Sequence, residues 1–479
     1  MEDYVITDRK RQLLLIIVIC LVGFLVTFDY ASLNISLSNI ASYFGVKLGA
    51  VAWLPTIYLL VITSLLLGFG RLADIIGYRK VFLIGVTGFI LGAVCCALSP
   101  NFPALLVSRA IQSCGQAIYG PIEIVLITMF LPSNIRGRTF GLYATCQGVG
   151  MVAGSVLGGF ITETAGWRFN FIFSIIAAST ILAISVKILP SKHVPPEDKR
   201  FDFAGAGFLF FALGSLLYMV NSMSAPAFNV LTVLACAVFS FLMFALFFLT
   251  EARTPAPLLD LKLFRNRDFS YSVGAVFCIM FAAMGLIFLF PFYLQMIRHF
   301  HVAKAGVAMM IPSGLLMVLS PVAGIVCDHI GCCKVCIAGS VLIIASFFVF
   351  SLLLGLTSPM WMIITVLSLF GAGMGLFLAP NNKLVMNHVP SGRHGVGSGI
   401  YKICANAGSS IGLALFMVIT SQTALFFARG LNLAEGQARN HPEIIITGFK
   451  AAFIFGALIA VAGFILSVLA RDVERGERS

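Results

Sequence analysis

The chain has 479 residues, of which 59% are hydrophobic and only 10% are charged, and its mean hydropathy is +1.02. Because soluble domains average about a quarter charged residues, this composition excludes a soluble protein and indicates one that crosses a membrane several times. The formal net charge of +12 would suit a nucleic-acid-binding protein, but the positions of the basic residues favour another explanation.

The apolar runs predict membrane-spanning helices rather than a β-barrel, since they are about 20 residues long and lack strict alternation. The first run is too long for a signal-peptide core, and no small-residue cleavage site follows it, so we expect it to remain as the first helix. The sequence predicts an all-α polytopic membrane protein with fourteen spans, at residues 13–43, 51–70, 80–99, 103–130, 140–162, 168–189, 203–221, 228–250, 270–295, 304–327, 334–355, 359–386, 395–420 and 447–470.

The basic residues are distributed unequally between the two sides of the membrane. If the N-terminus is inside, loops and tails on that side hold 22 of the 31 Lys and Arg residues, the other side holds seven, and Arg109 and Lys402 lie within spans. This asymmetry follows the positive-inside rule, so it accounts for the net charge without any nucleic acid. We expect both termini to be cytoplasmic, the lipid bilayer to surround the chain, and no nucleic acid to be bound.

Asp29 is a lone carboxylate near the middle of the first span, where a charge costs about 3 kcal/mol on insertion scales. At about 100° per residue, the polar residues of this helix form two stripes. One stripe contains Asp29, Ser32, Ser36 and Asn39, and the opposite one contains Thr27, Asn34 and Ser38. The spacing does not tell which stripe faces a cavity, so Asp29 is either a functional acid or a structural carboxylate bonded to a neighbouring helix.

Residues 70–81, GRLADIIGYRKV, form the first predicted cytoplasmic turn between two spans. Gly70 and Gly77 permit close helix approach and a sharp reversal. Asp74, Arg79 and Lys80 can form ion pairs across an interface between two halves of the molecule and so hold one conformation. The alternative is an ordinary positive-inside loop with a helix cap.

The fourth span carries a polar face that is not expected to contact lipid. Its side chains fall within about 80° of one another at helical spacing. They are Arg109, Gln112, Gln116, Tyr119 and Glu123. Glu123 is either a functional acid or a helix-end residue that pairs with loop arginines such as Arg136.

The sequence contains two copies of one six-helix unit. GRLADIIGYRKV (70–81) matches GIVCDHIGCCKV (324–335), and GLYATCQGVGMVAG (141–154) matches GIYKICANAGSSIG (399–412). Two homologous halves suit alternating access, with substrate bound between them near the midplane. The repeat predicts three parts: an N-terminal six-helix bundle (1–190), a linker with two inserted spans (191–262) and a C-terminal six-helix bundle (263–479).

Two acids of the first copy have identifiable counterparts in the second. Asp328 corresponds to Asp74, so this acid is kept. Asn382 corresponds to Glu123, since each follows a proline by two residues, so here the second copy has a neutral residue. The predicted titratable groups therefore lie in the first half.

The sequence shows no sign of a metal site, a cofactor or catalytic machinery. Most of the twelve cysteines lie in spans, where Cys behaves as a small apolar residue. Cys332, Cys333 and Cys336 have no partner pair at metal-ligand spacing. No Ser/His/Asp set, phosphate loop or HExxH pattern appears, so a membrane-embedded enzyme or sensor is the less favoured class.

Several of these segments resemble motifs of the major facilitator superfamily, and in particular of its 14-span drug:proton antiporters. GRLADIIGYRK resembles the signature of the loop between helices 2 and 3, and RAIQSCGQAIYGP (109–121) resembles the helix-4 motif. DYASLN (29–34) resembles the helix-1 motif, and FDFAGAG (201–207) and GLFLAPNN (375–382) also look like this branch. GVGMVAGSVLGG (148–159) resembles the helix-5 antiporter motif and keeps Gly150, Gly154, Gly158 and Gly159, with Ser155 where the family has Pro.

The resemblance implies the major facilitator fold, with two six-helix bundles and two inserted helices. It also implies that Arg109 lines the cavity and polarises a nearby carboxylate. Since a buried carboxyl group can exchange protons near neutral pH, we expect Asp29 and Glu123 to couple protons and recognise a cation. The other candidate cavity residues are Asn34, Gln112, Gln116, Tyr119 and Asn382.

The predicted function is proton-driven export of lipophilic, cationic drugs, and hence antibiotic resistance, by a monomer in the plasma membrane (the inner membrane) of a prokaryotic cell. Its expected partners are protons and a small-molecule substrate, with no cofactor. The alternatives are an exporter or symporter of a metabolite, siderophore or lipid-like anion. Lys402 either extends to the cytoplasmic surface or lines the cavity, which would favour anionic or zwitterionic substrates.

Overall fold

The computed structural model describes residues 8–189, 202–223, 229–253, 261–353, 355–389, 394–430 and 441–471. Throughout these residues the regular elements are helices, and no strand occurs among them. Thirteen of the helices are long and apolar enough to cross a membrane, and Ala204–Val220 is a shorter apolar helix. The predicted all-α membrane fold is therefore confirmed, and these helices account for the fourteen predicted spans.

The first eight helices are α1 (Arg9–Phe44), α2 (Leu48–Val51), α3 (Trp53–Ile76), α4 (Tyr78–Ala97), α5 (Phe102–Tyr119), α6 (Ile122–Phe130), α7 (Ser133–Thr164) and α8 (Arg168–Ile188). They are followed by α9 (Phe203–Ser222) and α10 (Val230–Arg253). A short 3₁₀ helix (Leu261–Arg265) precedes α11 (Arg267–Phe292), which continues into one π-helical turn (Tyr293–Ile297). The remaining helices are α12 (Val302–Ile330), α13 (Cys332–Leu353), α14 (Met360–Asn387), α15 (His394–Gly430) and α16 (Pro442–Leu469).

Polar caps set several helix ends. The side chains of Asp8, Asn101 and Asn266 accept hydrogen bonds from backbone N–H groups in the first turns of α1, α5 and α11. These bonds satisfy donors that have no partner within the helix. At the other end of α1, Gly45 has a φ of 64° and its N–H bonds back to the last turn, as left-handed C-caps do.

The fourth predicted span, 103–130, is one apolar stretch, Phe102–Ile127, that is long enough to cross a membrane, and it contains a local break in regular helical structure. α5 ends at Tyr119 and α6 begins at Ile122, while Gly120 and Pro121 between them keep right-handed helical dihedral angles. A proline has no backbone N–H and its ring crowds the preceding turn, which accounts for the break. Glu123 therefore lies just past the break, in the first turn of α6.

The chain forms two compact units. Unit 1 comprises Met1–Leu213, Met243–Leu258 and His301–Met310, and unit 2 comprises Gly214–Leu242, Leu259–Phe300 and Ile311–Ser479. In unit 1, α1 packs on α7 and α8, and α4 packs on α5 and α8. In unit 2, α11 packs on α15 and α16, and α13 packs on α14 and α16. The helix pairs occur in the same order, as expected for two copies of one unit.

Equivalent glycines produce the same close helix contact in both units. A Cβ atom at Gly150 would lie 2.3 Å from the carbonyl oxygen of Phe24, and one at Gly408 would lie 2.3 Å from that of Phe277. These distances are far below van der Waals contact, so only glycine allows the backbones to approach this closely. The contact repeats one turn later, between Gly154 and Phe28 in unit 1 and between Gly412 and Phe281 in unit 2.

Candidate functional site

Asp29 and Arg109 form a buried ion pair in the interior of unit 1. α1 places the Asp29 side chain, which is 3% exposed, against the fully buried Arg109 side chain of α5. Arg109 Nη1 donates to Asp29 Oδ2 over 2.7 Å. The structure thus brings together the acid of the first helix and the arginine that the resemblance assigned to a nearby carboxylate.

Two further donors satisfy the other carboxylate oxygen. Gln112 Nε2 lies 3.0 Å from Asp29 Oδ1, and Ser174 Oγ on α8 lies 3.1 Å from the same atom. Gln112 also accepts from Arg109 Nη1 through Oε1, over 2.7 Å. Both carboxylate oxygens of Asp29 therefore accept hydrogen bonds from neighbouring helices.

The guanidinium of Arg109 keeps unused hydrogen-bonding capacity. Its Cζ atom lies 4.3 Å from the centre of the Tyr58 ring, a cation–π contact. Its Nε and Nη2 atoms are buried and make no hydrogen bond. A buried donor without an acceptor costs about 1–3 kcal/mol, so an acceptor brought beside this arginine would be bound favourably.

The remaining polar residues of α5 are also buried. The Tyr58 hydroxyl donates to Gln116 Oε1. The ring of Tyr119 packs edge-on against Phe82 and Phe89, while its hydroxyl has no hydrogen-bond partner. The polar face predicted for this helix therefore faces the interior of unit 1 from Arg109 to Tyr119.

Glu123 belongs to a second polar cluster. It is buried and accepts a hydrogen bond from the Tyr143 hydroxyl of α7. Gln147 Nε2 donates to that hydroxyl over 3.0 Å. Tyr143 packs against Gly23 of α1. Since Gly23 precedes Asp29 by six residues, or about 9 Å of helix, the structure does not bring the two acids together.

Polar residues of both stripes of α1 pack inside unit 1. On the stripe without Asp29, Thr27 Oγ1 donates to the carbonyl of Gln147 of α7 over 2.7 Å. Ser36 Oγ lies 2.7 Å from Thr162 Oγ1 of α7, and Ser32 is buried against Gly158. The stripe that contains Asp29 therefore faces α7 and α8. Asn34, on the other stripe, is also buried and donates from Nδ2 to the carbonyl of Tyr30 over 3.0 Å.

The second unit has no acid at the position that corresponds to Asp29. Phe28 and Phe281 make equivalent contacts with Gly154 and Gly412. Asp29 and Ala282 directly follow these phenylalanines, so Ala282, which is buried, is the residue equivalent to Asp29. The surrounding interior contains a cluster of rings in contact with one another, Phe281, Phe347, Phe416 and Phe455. At this position the first repeat therefore carries a charged pair and the second carries an apolar residue.

Asn382, predicted as the counterpart of Glu123, is exposed, whereas its neighbour Asn381 is 1% exposed. Asn381 Nδ2 donates to the carbonyl of Ser272 over 3.2 Å. Sequence reasoning missed Asn381, and it also missed Ser174 and Tyr58, which bind the central pair. Ser174 and Tyr58 lie outside the quoted motifs, and Asn381 lies in GLFLAPNN (375–382) beside the asparagine that was chosen; helical position alone does not show what any of the three contacts.

The turn motif has the predicted reversal in both copies. Gly77 has a φ of 109° and Gly331 a φ of 94°, values that favour glycine. Arg79 Nη2 donates to the carbonyl of Val186 over 2.8 Å, and Lys80 is exposed. The side chains of Asp74 and Asp328 lie outside the described part of the chain, as do residues 190–201, where the predicted linker part (191–262) begins.

The glycines of the helix-5 motif lie along the packing face of α7. Gly158 meets Ser32 of α1, where an added Cβ would lie 2.5 Å from the serine Cβ. Gly159 meets the start of α12, where an added Cβ would lie 2.9 Å from the carbonyl oxygen of Val302. These residues act here as points of close helix approach.

A disulfide joins Cys327 to Cys332 in the second copy of the turn motif. The sequence drew attention to Cys332 and its neighbours but did not indicate this pairing. The two cysteines lie on either side of the turn at Gly331.

Comparison with known proteins agrees with this architecture. The family described as Major Facilitator Superfamily matches residues 19–413. The riboflavin transporter RibZ of Clostridioides difficile is 28% identical over 464 residues, which cover 96% of this chain and 97% of that protein. The multidrug resistance protein Stp of Mycobacterium tuberculosis is 26% identical, over 85% of this chain and 75% of that protein.

A solved structure gives the same result for the fold. The peptide transporter POT in complex with sulfate superposes with a TM-score of 0.67 at 18% identity, over 95% of this chain and 94% of that chain. At this identity the likeness shows the fold alone. The drug-resistance relative agrees with the drug-efflux branch that the sequence motifs resemble.

Proposed function

Because this chain belongs to the Major Facilitator Superfamily and is a membrane transporter, we propose that it exports lipophilic, cationic compounds in exchange for protons by alternating access. The observation that carries the proposal is the buried pair of Asp29 and Arg109. In this proposal both termini are cytoplasmic, and the two repeats of the chain are the two halves that move.

Asp29 is the proton carrier in this mechanism. Its protonation removes the negative charge that Arg109 binds and leaves a buried guanidinium without a counter-charge. Breaking a buried pair in this way costs about 3–5 kcal/mol, so the protonated state favours a different arrangement of the helices. Proton binding is thereby converted into a preference between two conformations.

Glu123 is the group that attracts the cationic substrate. Glu123 is buried and accepts a hydrogen bond from the Tyr143 hydroxyl, in a cluster separate from the pair of Asp29 and Arg109. A carboxylate in a buried, low-dielectric position attracts a cation strongly. The separation of the two clusters along α1 allows proton and substrate to bind at different sites.

The membrane potential adds a driving force when transport moves net charge. A net charge that crosses the membrane gains about 2.3 kcal/mol per 100 mV. If one proton enters for each monovalent cation that leaves, the exchange is electroneutral and follows the pH gradient alone. A second proton per cycle would make transport respond to the membrane potential as well.

The test uses purified protein in proteoliposomes with an imposed pH gradient and a panel of cationic, neutral and anionic dyes. We expect the wild type to move cationic dyes at a rate that follows the gradient. Asp29→Asn should abolish the response to the gradient, and Glu123→Gln should weaken binding of cationic dyes. The control is Glu443→Gln, since Glu443 is exposed in the first turn of α16. Dye movement that ignores the gradient and survives both substitutions together would contradict the proposal.

A second candidate is transport of a flavin-like metabolite. It is favoured by the relative named as a riboflavin transporter, which matches nearly the full length of this chain. The unused donors of Arg109 would suit the carbonyl groups of such a ring. Riboflavin therefore belongs in the same panel. Movement of riboflavin without any cationic dye would favour this candidate over drug export.

A further inference from the structure

A small cavity lies beside Asp29, between α1 and α8, and Leu33, Ile40 and Phe171 supply apolar parts of its lining. Its polar lining consists of Asp29, Ser32 and Ser36 from α1 and of Asn170 and Trp167 from α8 and the turn before it. The volume within which the centre of a water molecule can lie is about 10 Å³. This is about the minimum for one ordered water. Of the residues that line it, Asp29 alone can ionise.

Two buried polar atoms in this lining have no hydrogen-bond partner. They are the acceptor Asn170 Oδ1 and the donor Trp167 Nε1, in side chains that are 4% and 2% exposed. Buried polar atoms are nearly always satisfied by protein or by ordered water. One acceptor and one donor on the same cavity are the partners that an ordered water needs.

Hydrogen-bonding groups continue from the cavity along both helices. Asn170 Nδ2 lies 3.0 Å from Ser36 Oγ and 2.8 Å from Thr162 Oγ1. One turn further along α8, Ser174 Oγ donates to Asp29 Oδ1. The cavity therefore lies between a polar cluster at one end and the carboxylate at the other, and a water in it would connect them.

The cavity extends from Asp29 toward one end of the bundle. Ser36 lies seven residues beyond Asp29 on α1, or about 10 Å of helix. Trp167 directly precedes α8 and follows the turn at Gly166. The distribution of basic residues assigns this end to the outer side of the membrane.

We propose that this cavity holds ordered water and is the port through which Asp29 exchanges its proton with the outer side. The inference rests on the proposed function, in which Asp29 is the proton carrier. It adds that the proton passes through the interior of unit 1, between α1, α7 and α8. Hydrogen-bonded water and hydroxyl groups can pass a proton along without moving a larger solute.

The groups around Asp29 agree with a port on this side. The titratable side chains that interact with Asp29 from other helices are Tyr58 on α3, Cys96 on α4, and Arg109 and Tyr119 on α5. Of these, only Arg109 is charged at neutral pH. α8 contributes neutral side chains to the cavity, and Thr162 of α7 is hydrogen-bonded to Asn170. A proton that enters between these helices therefore meets Asp29 as its first base.

The lining of the cavity favours water over a divalent metal cation. Such a cation takes about six or more oxygen ligands, and the lining side chains that carry oxygen are those of Asp29, Ser32, Ser36 and Asn170.

The test separates proton access from substrate movement. Asn170→Leu replaces the central polar residue by an apolar one of similar size, and Trp167→Phe removes only the ring N–H. The matched control is Thr180→Val, since Thr180 is an exposed residue of the same helix. Each variant is reconstituted and assayed for dye export driven by an acidic outer pH, for dye counterflow without a gradient, and for dye binding.

We expect Asn170→Leu to slow gradient-driven export about tenfold, and Trp167→Phe to slow it less, because both remove partners of the water. Counterflow and dye affinity should stay within about twofold of the wild type, since neither needs a proton. Thr180→Val should match the wild type in all three assays.

Three results would overturn parts of this reasoning, and they differ from one another. Normal gradient-driven export in both variants would overturn the port alone. An equal loss of export and counterflow in Asn170→Leu, with wild-type behaviour of Trp167→Phe, would show a structural role and also overturn it. A wild-type protein whose export ignores the pH gradient would overturn the proposed function, and the port with it.

Discussion

Replacing Asp29 by Asn removes the charge opposite Arg109 while keeping nearly the same side-chain shape. The guanidinium stays fully buried, with Nη1 where it now lies 2.7 Å from the carboxylate. An amide oxygen can still accept from Gln112 or Ser174, so the main loss is the ion pair itself. Leaving one buried charge without its partner costs about 3–5 kcal/mol. We expect the free energy of unfolding of Asp29→Asn to fall by this amount.

The matched substitution on the other side tests the same contact. Arg109→Met leaves the carboxylate buried without its cation, so we expect a loss of similar size. The double variant Asp29→Asn/Arg109→Met leaves no buried charge. Because neutral replacements of buried ion pairs are often tolerated, it should be closer to the wild type than either single variant. The coupling energy between the two sites should reach about 3 kcal/mol.

The assay is equilibrium unfolding in mixed micelles, followed by fluorescence of the three tryptophans, of which Trp167 is buried in the same unit. Glu443→Gln is the control, because substitutions of exposed residues usually change stability by no more than about 0.5 kcal/mol. If Asp29→Asn stays within about 1 kcal/mol of the wild type, or if the two single effects simply add, the pair does not carry the energy assigned to it.

Three further outcomes are expected. Gly150→Val should prevent close packing of α1 on α7, since its Cβ would lie 2.3 Å from a backbone oxygen; a thermal melt equal to that of the wild type would contradict this contact. Tyr143→Phe removes the hydroxyl that donates to Glu123 and should change the affinity for cationic dyes, measured by equilibrium dialysis, without affecting the affinity for neutral dyes. Gly77→Ala should destabilise the protein by about 1–2 kcal/mol, because a side chain disfavours a positive φ. Gly141→Ala, at a position with open space around it, should lose much less in the same unfolding assay.

The structure agrees with the sequence where the relevant information is local. Apolar runs of about 20 residues predict spanning helices because lipid requires every backbone group to bond within its own helix. The repeat was visible because corresponding glycines keep their spacing, and Gly150 and Gly408 do make equivalent contacts. The break at Pro121 could have been predicted from proline alone, but the continuous hydropathy obscured it.

The sequence identified Asp29 in the first span and Arg109 and Gln112 in the fourth span as unusual residues. It did not show that they share one hydrogen-bonded network, or that Ser174 completes it. Arg109 is 80 residues from Asp29 and Ser174 is 145 residues from it. Such pairs depend on the rotation and crossing of each helix, which periodicity within a single helix does not determine.

The sequence by itself determined that this is a helical membrane protein built from two related halves, and that charge within the spans is rare and concentrated in the first half. Hydropathy, repeat spacing and charge placement are properties of the linear chain, so no contact was needed to find them. The tertiary structure decided that Asp29 is neutralised by Arg109, that Glu123 belongs to a separate cluster beside Tyr143, and that a small cavity joins Asp29 to Asn170. These depend on which helix faces meet, and that is settled only when the helices pack.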